Sequence, residues 1–442
     1  MDERSDKSGP KKISVYGAGR VGATIAAAWL RAGTNVMLAD IDVSKVTRIE
    51  SGESVFRDEP GVDEALIKGV RSGTCIVTSD TKYAASGCDG VFIAVPSGFR
   101  EGKIELDAVR SAARDVGSSM KRGALVSLET SVPPGTTRKL LVKELEHSSG
   151  MKAGTDFYVA YSPERIFEGR ALHDLEENYQ KVVSGINEAS LEKAAKYYSI
   201  IAKKGIIKMS SLEAAETEKL FEGIYRDVNI ALSNELAKYC EASGLDYWEV
   251  RSAANSQPYS HLHKPGAGVG GACIPVYPWF IIYEADRVRL DLELVRTARK
   301  VNDSQPEQVA AAALADTDLQ PGDRVAILGL AFRGDVDDDR FSPSYSLVNY
   351  FVAKSFAVTV HDPYISKSKP KGFSLTSSIE QALHGAKLVI VATDHSMYRD
   401  LSFSDVAGMA SPGSKILDAR GVLKRPNPMN EKWKVLGVGS RG

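Results

Sequence analysis

The chain has 442 residues, of which 43% are hydrophobic and 26% charged, and its formal net charge is −1. That length suits two to three domains with a sizeable core, and the near-zero charge removes any bulk electrostatic reason to expect nucleic acid or a membrane surface as a partner. The four cysteines, Cys75, Cys88, Cys240 and Cys273, show neither CxxC pairing nor a histidine cluster, so neither a disulfide framework nor a metal site is expected, and a reducing cytoplasm is the natural setting.

Residues 1–10, MDERSDKSGP, are polar and lack the apolar stretch of a signal peptide; they read as a disordered tail. The longest apolar runs, such as Val325–Ala331, are far too short to span a bilayer. Lys12–Tyr16 (KISVY) predicts a strand that flows into GAGRVG at Gly17–Gly22, a helix closed by Gly33, a second strand at Asn35–Ala39, and Asp40 at its end. Strand, GxGxxG, helix, strand and acid, in that order, are the dinucleotide-binding fingerprint. Gly17 makes the tight turn, Gly19 lets a pyrophosphate reach the helix N-terminus, and Gly22 permits close helix–strand packing. Asp40 would accept hydrogen bonds from the adenosine ribose and repel a 2′-phosphate, which favours NAD over NADP.

Further strands are predicted at Gly90–Val95, Leu125–Leu128 and Phe157–Tyr161. Pro96 and Ser97, then Ser131, then Glu164 follow their carboxyl ends, where a parallel sheet lines its ligand crevice. Leu212–Ser243 reads as one long helix stopped by Gly244, carrying Lys219 and an unusual mid-helix glycine, Gly223. A lone lysine is ordinarily solvated. The glycine costs about 1 kcal/mol against alanine and marks a close approach.

Pro265–Phe280, PGAGVGGACIPVYPWF, presents one thiol, Cys273, behind four glycines. Such a loop suits a nucleophile offered to a bound substrate, although a lone cysteine is ordinarily a small buried hydrophobe. From Arg324 a second strand–helix alternation begins, through GLAFRGDVDDDRFSPS, without a full GxGxxG but with Arg333 and Arg340 beyond its first strand, where arginine forks suit phosphates. The expected architecture is α/β: two doubly wound Rossmann-like domains joined by a long central helix. The expected division is 11–205 for cofactor, 206–315 for a central helical domain with the cysteine loop and a long helix suited to a dimer contact, and 316–442 for a second doubly wound domain with a nucleotide-like crevice of its own.

Several of these stretches together resemble the nucleotide-sugar 6-dehydrogenases, which include the UDP-glucose and UDP-N-acetylmannosamine dehydrogenases. The likeness runs from Lys12 to about Leu423 and is carried by GAGRVG with Asp40, TSVPPGTT, SPERIFEG, EKLFEGIYRDVNIALSNELA, GAGVGGACIPVYPWF, GLAFRGDVDDDRFSPS and DARG. RDVNIALSNELA and HKPGAGVGG look more like the N-acetylhexosamine members.

The resemblance implies NAD as cofactor, a UDP-sugar as substrate, a homodimer or higher homo-oligomer, and a cytoplasmic role in making uronic acids for polysaccharides. It implies Cys273 as nucleophile, Lys219 as the cation beside developing oxyanions, Glu164 as the carboxylate handling water, and Ser131 where the family usually has threonine. Cofactor contacts would come from Gly17, Gly19, Arg20, Val21, Gly22, Asp40, Lys45, Pro96, Ser97, Ser131, Val276 and Arg340. Substrate contacts would come from Glu164, Arg165, Glu168, Lys219, Leu262, His263, Lys264, Pro265, Gly266, Gly270 and Arg333. Two positions depart from the family pattern: Gly223 stands for an asparagine, and Tyr277 for an aspartate. They raise the alternative of a catalytically impaired nucleotide-sugar-binding protein, and the expectation that the Tyr277 ring fills the space over Gly223.

Overall fold

Short apolar runs become the strands of two largely parallel sheets in the computed structural model, which describes residues 9–100, 102–315, 317–365, 371–426 and 429–439. Of the predicted tail, residues 1–8 lie outside the described residues, and Pro10 is buried. The chain divides into two compact units, Met1–Phe221 and Glu222–Gly442.

In the first unit the strands are β1 (Lys12–Tyr16), β2 (Asn35–Ala39), β3 (Cys75–Thr78), β4 (Gly90–Ile93), β5 (Gly98–Arg100), β6 (Lys103–Glu105), β7 (Leu125–Leu128), β8 (Tyr158–Tyr161), β9 (Lys181–Gly185) and β10 (Ile206–Lys208). The main sheet runs β10-β9-β8-β7-β4-β1-β2-β3, and β5 and β6 form a separate hairpin. From β3 to β8 every pairing is parallel, in a doubly wound order that reverses between β1 and β4. Alternation along the strands feeds two cores. Ile13, Val15 and Phe92 pack into one, and Tyr16, Val91 and Ile93 into the other. With both faces covered, β4 and β7 are apolar and buried throughout, apart from Ser127.

β9 runs antiparallel to β8, with Ala160 opposite Gly185 and Tyr161 opposite Ser184. Its first residue, Lys181, therefore lies at the edge where β7 and β8 finish. The sequence reading missed β3, β9, β10 and the hairpin, all strands of three to five residues.

The second unit repeats the plan. β11 (Arg324–Leu328), β12 (Ala357–His361), β13 (Ser374–Thr376), β14 (Ala386–Val391), β15 (Lys415–Asp418) and β16 (Trp433–Val435) pair in parallel as β13-β12-β11-β14-β15-β16. The turn after the first strand is wired alike in both units. Gly17 N–H donates to the Ala39 carbonyl at 2.7 Å, and Gly329 N–H to the His361 carbonyl at 2.7 Å. The long central helix, Leu212–Ala242, has 31 residues and stops before Gly244, whose φ of 68° is the left-handed stop that glycine supplies.

Candidate active site

The β1 turn shows why its glycines are needed. A Cβ on Gly22 would come within 1.8 Å of the Gly17 carbonyl oxygen, and one on Gly17, at φ 97°, within 2.6 Å of the Ala94 carbonyl oxygen. Gly19 caps the helix Arg20–Arg31 without a side chain, so its first amides have no side-chain cap, and the space where a Cβ would stand is open. Asp40 fixes the turn: Oδ2 accepts from Ala18 N–H at 2.7 Å and from Lys45 Nζ at 3.1 Å, while Oδ1 accepts from Asp42 N–H at 2.9 Å. Open amides at a helix N-terminus beside a half-buried carboxylate fit a dinucleotide, with the pyrophosphate on the amides and a ribose on the acid. Val21, half-buried in the helix's first turn, packs against the core.

Beyond β4 and β7 the structure joins two more predicted residues. Ser97 Oγ donates to the Ser131 carbonyl at 2.6 Å, with Pro96 exposed beside it, and Thr130 Oγ1 donates to the Val95 carbonyl at 2.7 Å. Arg20, expected on the cofactor, meets Glu168, expected on the substrate, at 3.6 Å, and it also pairs with Asp58 and Glu59 at 2.8 Å each. Glu59 is buried and accepts from Gly169 and Ala171 N–H as well, tying the ERIFEG loop to the glycine turn.

Glu164 is buried after β8. Its Oε1 accepts from Arg165 N–H at 2.8 Å and its Oε2 from Lys181 Nζ at 2.9 Å. Arg165 stands 3.5 Å from Glu218 on the long helix. Lys219, next along that helix, is 7% exposed, so it is not the solvated lysine that composition alone would predict.

In the second unit the cysteine loop is seated on its own unit's glycine-poor turn. A Cβ on Gly270 would lie 2.6 Å from Phe332 Cβ, and one on Gly271 would lie 2.8 Å from the Phe332 ring. Gly271 N–H donates to the Arg340 carbonyl at 2.8 Å. The turn holds two non-glycine residues in the left-handed region, Asp335 at φ 61° and Phe341 at φ 52°, a strain that persists where surrounding structure fixes it. The Arg340 guanidinium is held by Asp338, and Arg333 is half-buried in the same turn.

The loop then delivers Cys273 at the start of a turn into the helix Tyr277–Arg287. The Cys273 carbonyl accepts from Val276 and Tyr277 N–H at 3.0 and 2.9 Å, and the residue itself is exposed. Cys75, Cys88 and Cys240 are buried, and burial pushes the first two thiols up to about 12 and about 11.

Models of the UDP-glucose/GDP-mannose dehydrogenase family match residues 11–202 (NAD binding domain), 213–304 (central domain) and 326–425 (UDP binding domain). A UDP-N-acetyl-D-mannosamine dehydrogenase of Pyrococcus horikoshii is 32% identical over 432 residues, covering 97% of this chain and 99% of the relative. The chain belongs to the UDP-glucose/GDP-mannose dehydrogenase family.

As a member of that family it is an NAD-dependent nucleotide-sugar dehydrogenase with a UDP-sugar substrate. A solved structure of the Pyrococcus horikoshii enzyme superposes with a TM-score of 0.88, covering 97% of this chain and 100% of that one. An NDP-N-acetyl-D-galactosaminuronic acid dehydrogenase from Methanosarcina mazei Go1 gives a TM-score of 0.83 at 32% identity, covering 98% and 96%. No helix among the described residues is long and apolar enough to cross a membrane.

Within this dehydrogenase the loop 261–266 is held by asparagines whose role the sequence did not mark. Asn255 pairs with both sides of Leu262, donating to its carbonyl at 2.9 Å and accepting its N–H at 2.8 Å. Asn229 does the same across His261 and His263, at 2.9 and 3.0 Å, and Asn234 accepts from Gly266 N–H at 3.0 Å. The His263 carbonyl also accepts from Tyr247 OH and Arg251 Nε. Each asparagine imitates a strand edge, fixing backbone that would otherwise be loose.

Burial pushes the His263 imidazole down to about 4, so it is neutral at pH 7. Burial lowers the Lys264 ammonium too. Asp394 opposes the shift, and Arg420, Arg251 and Arg399 add to it. Pro265 and Gly266 are buried, and a Cβ on Gly266 would meet the Arg420 guanidinium at 2.5 Å. The dehydrogenase's buried network around Lys181 and Glu129 also escaped the sequence reading, because a single lysine in QKVVSG carries no pattern.

Proposed function

We propose that this chain oxidises the C6 alcohol of a UDP-N-acetylhexosamine, with UDP-N-acetyl-D-mannosamine as the first choice, to the uronate through a covalent adduct on Cys273. The observation that carries the reading is the exposed thiol of Cys273 at the end of a glycine loop, in a chain whose other three cysteines are buried. The hexosamine is supported by the names of the Pyrococcus and Methanosarcina relatives. UDP-glucose is the second choice, supported by a UDP-glucose dehydrogenase from Pyrobaculum islandicum with a TM-score of 0.86 at 25% identity.

Bound NAD would accept one hydride from C6, and a second NAD taking its place would accept the other. Gly17, Gly19, Arg20, Val21, Gly22, Asp40, Lys45, Pro96, Ser97 and Ser131 would hold it, with Val276 and Arg340 completing the set. Once the alcohol is an aldehyde, the Cys273 thiolate adds to C6 as a thiohemiacetal. Loss of the second hydride leaves a thioester. Glu164 takes a proton from water as its oxygen attacks the acyl carbon, the C–S bond breaks, and the uronate departs from the thiolate. The buried Lys219 ammonium stabilises the successive oxyanions. Arg165, Glu168, Leu262, His263, Lys264, Pro265, Gly266, Gly270 and Arg333 are assigned to the UDP-sugar, supported by the clamped 261–266 backbone and the cationic surroundings of Lys264.

The division into domains at 11–205, 206–315 and 316–442 belongs to this reading. So does a homodimer, supported by Tyr225, Leu232 and Tyr239, exposed at seven-residue spacing on the long helix. A cytoplasmic setting is supported by four unpaired cysteines.

The test is NADH formation by wild type and Cys273→Ser on UDP-N-acetylmannosamine, UDP-N-acetylgalactosamine and UDP-glucose. Two NADH per sugar on a hexosamine, abolished in the serine variant with both ligands still bound, is the expected result. A serine variant that makes uronate like the parent rules out the covalent route. A protein that binds UDP-sugar without reducing NAD is the impaired binder instead.

A further inference from the structure

Lys181 lies outside every motif that marked the active site, yet its ammonium is among the most completely engaged cations in the first unit. It is 4% exposed and meets three acceptors: Glu129 Oε2 at 3.0 Å, Glu164 Oε2 at 2.9 Å and the Pro163 carbonyl at 3.0 Å. Three donors on one ammonium are thereby all used. The geometry follows from the antiparallel turn of the sheet: β9 starts where β7 and β8 end, so its first side chain lies among residues that the parallel strands deliver to the crevice edge. Glu129 is braced from behind, since Tyr198 OH donates to its other oxygen and stands 2.7 Å from Ser127 Oγ. Both carboxylates are buried.

We propose that Lys181 is a positioning residue for Glu164, holding that carboxylate in one orientation for the release of the acyl group from Cys273. The inference rests on the reading of Glu164 given above. Glu164 is fixed at both oxygens, by Lys181 and by Arg165 N–H, and each oxygen keeps a second lone pair for a water. The charged and titratable groups around it are Lys181 on β9, Glu129 after β7, Tyr198 behind Glu129, and Arg165 with its partner Glu218. Two buried carboxylates share one cation. Without the cation they repel, and one takes up a proton. With Glu129 neutralised, the cation serves Glu164 alone.

The two removals therefore move the kcat–pH profile in opposite directions, which a mere brace between strands would not do. The experiment uses Lys181→Met, Glu129→Gln and Glu164→Gln in the full-length enzyme. It measures kcat against pH, and the acyl-enzyme mass after acid quench. Lys181→Met is expected to lower kcat at least tenfold with KM within twofold, to accumulate the acyl-enzyme, and to move the acid limb up by about one pH unit. Glu129→Gln is expected to move that limb down.

A folded Lys181→Met enzyme with an unshifted limb and no trapped acyl group overturns the proposal. If Lys181→Met does not fold, the limb of Glu129→Gln decides alone, and an unchanged or raised limb overturns it. Glu164→Gln separates the two readings. If it turns over without trapping acyl-enzyme, the role of Glu164 is wrong and the proposal falls with it. If it traps acyl-enzyme while the other two variants leave the limb in place, only the role of Lys181 is wrong.

Discussion

The ring of Tyr277 covers Gly223: a Cβ built on that glycine would lie 2.7 Å from Tyr277 Cδ2 and 3.3 Å from Tyr277 Cβ. Tyr277 is buried in the first turn of its helix, and its ring stacks on Phe280 with centroids 6.3 Å apart. The ring is thus held near its root and has little freedom to retreat. Gly223→Ala should destabilise by ~1–2 kcal/mol despite the better helix former, because overpacking outweighs the ~1 kcal/mol of propensity. In a Tyr277→Val background the same change should stabilise. Gly223→Asn should likewise lower activity, and adding Tyr277→Asp should restore it. Chemical denaturation of the four corners checks the first cycle and kcat of the four corners checks the second, and additive effects would refute the pairing.

Glu216 makes stability depend on pH near neutrality. It is fully buried on the long helix, and its two oxygens accept from Gly135 and Thr137 N–H in the turn after Ser131. Burial pushes its carboxyl up to about 7 against those two amides. A carboxyl raised on folding adds stability that is fully present below its ordinary value of 4.5 and is lost as pH rises through about 7. Tm should therefore fall between about pH 4.5 and 7 and level off above that, by an amount corresponding to on the order of 3 kcal/mol. Glu216→Gln should flatten that slope. Melting curves at four pH values suffice, and an equal slope in both proteins would assign the dependence elsewhere.

Asp40 should set cofactor choice. Asp40→Asn keeps the shape, removes the charge, and leaves Lys45, now 3.1 Å from the acid, available to a 2′-phosphate. The ratio of kcat/KM for NAD to that for NADP should drop at least tenfold, which is about 1.4 kcal/mol of discrimination. A ratio that does not move would place the ribose away from Asp40.

Asn255→Ala removes both bonds to Leu262. At about 1 kcal/mol each, their loss should raise KM for the UDP-sugar by up to about thirtyfold with kcat little changed, because the loop serves ground state and transition state alike. Steady-state kinetics distinguishes this from a fall in kcat, which would give the loop a part in the chemistry.

Legibility followed the range of the physics. The β1 turn and Asp40 could be read because steric need at Gly17 and Gly22 is local and repeats at fixed spacing. Gly223 and Tyr277, 54 residues apart in the chain, could be paired because each is odd where it stands: a glycine in mid-helix and a bulky ring after the thiol. Lys181 could not be read. Its meaning comes from a strand that reverses direction, and nothing in the local sequence reports which way a five-residue strand will pair. The roles of Asn229, Asn234 and Asn255 were hidden for a similar reason, since an asparagine on a helix or at its end looks the same whether it faces water or a loop up to 34 residues later. The glycines of the cysteine loop were read as presenting a nucleophile to a bound substrate. The structure shows Gly270 and Gly271 also making room for Phe332.

The distribution of thiols makes the protein its own stoichiometric reporter. Only Cys273 is exposed, and the pKa values of Cys75 and Cys88 keep them overwhelmingly protonated at neutral pH. An alkylating reagent of modest size should therefore add one equivalent per folded chain, at one peptide, and intact mass should count competent molecules directly. The same arrangement concentrates oxidative damage. Peroxide should silence the chain by converting a single sulfur while its melting curve stays unchanged, so loss of activity and loss of fold become separate events with separate clocks.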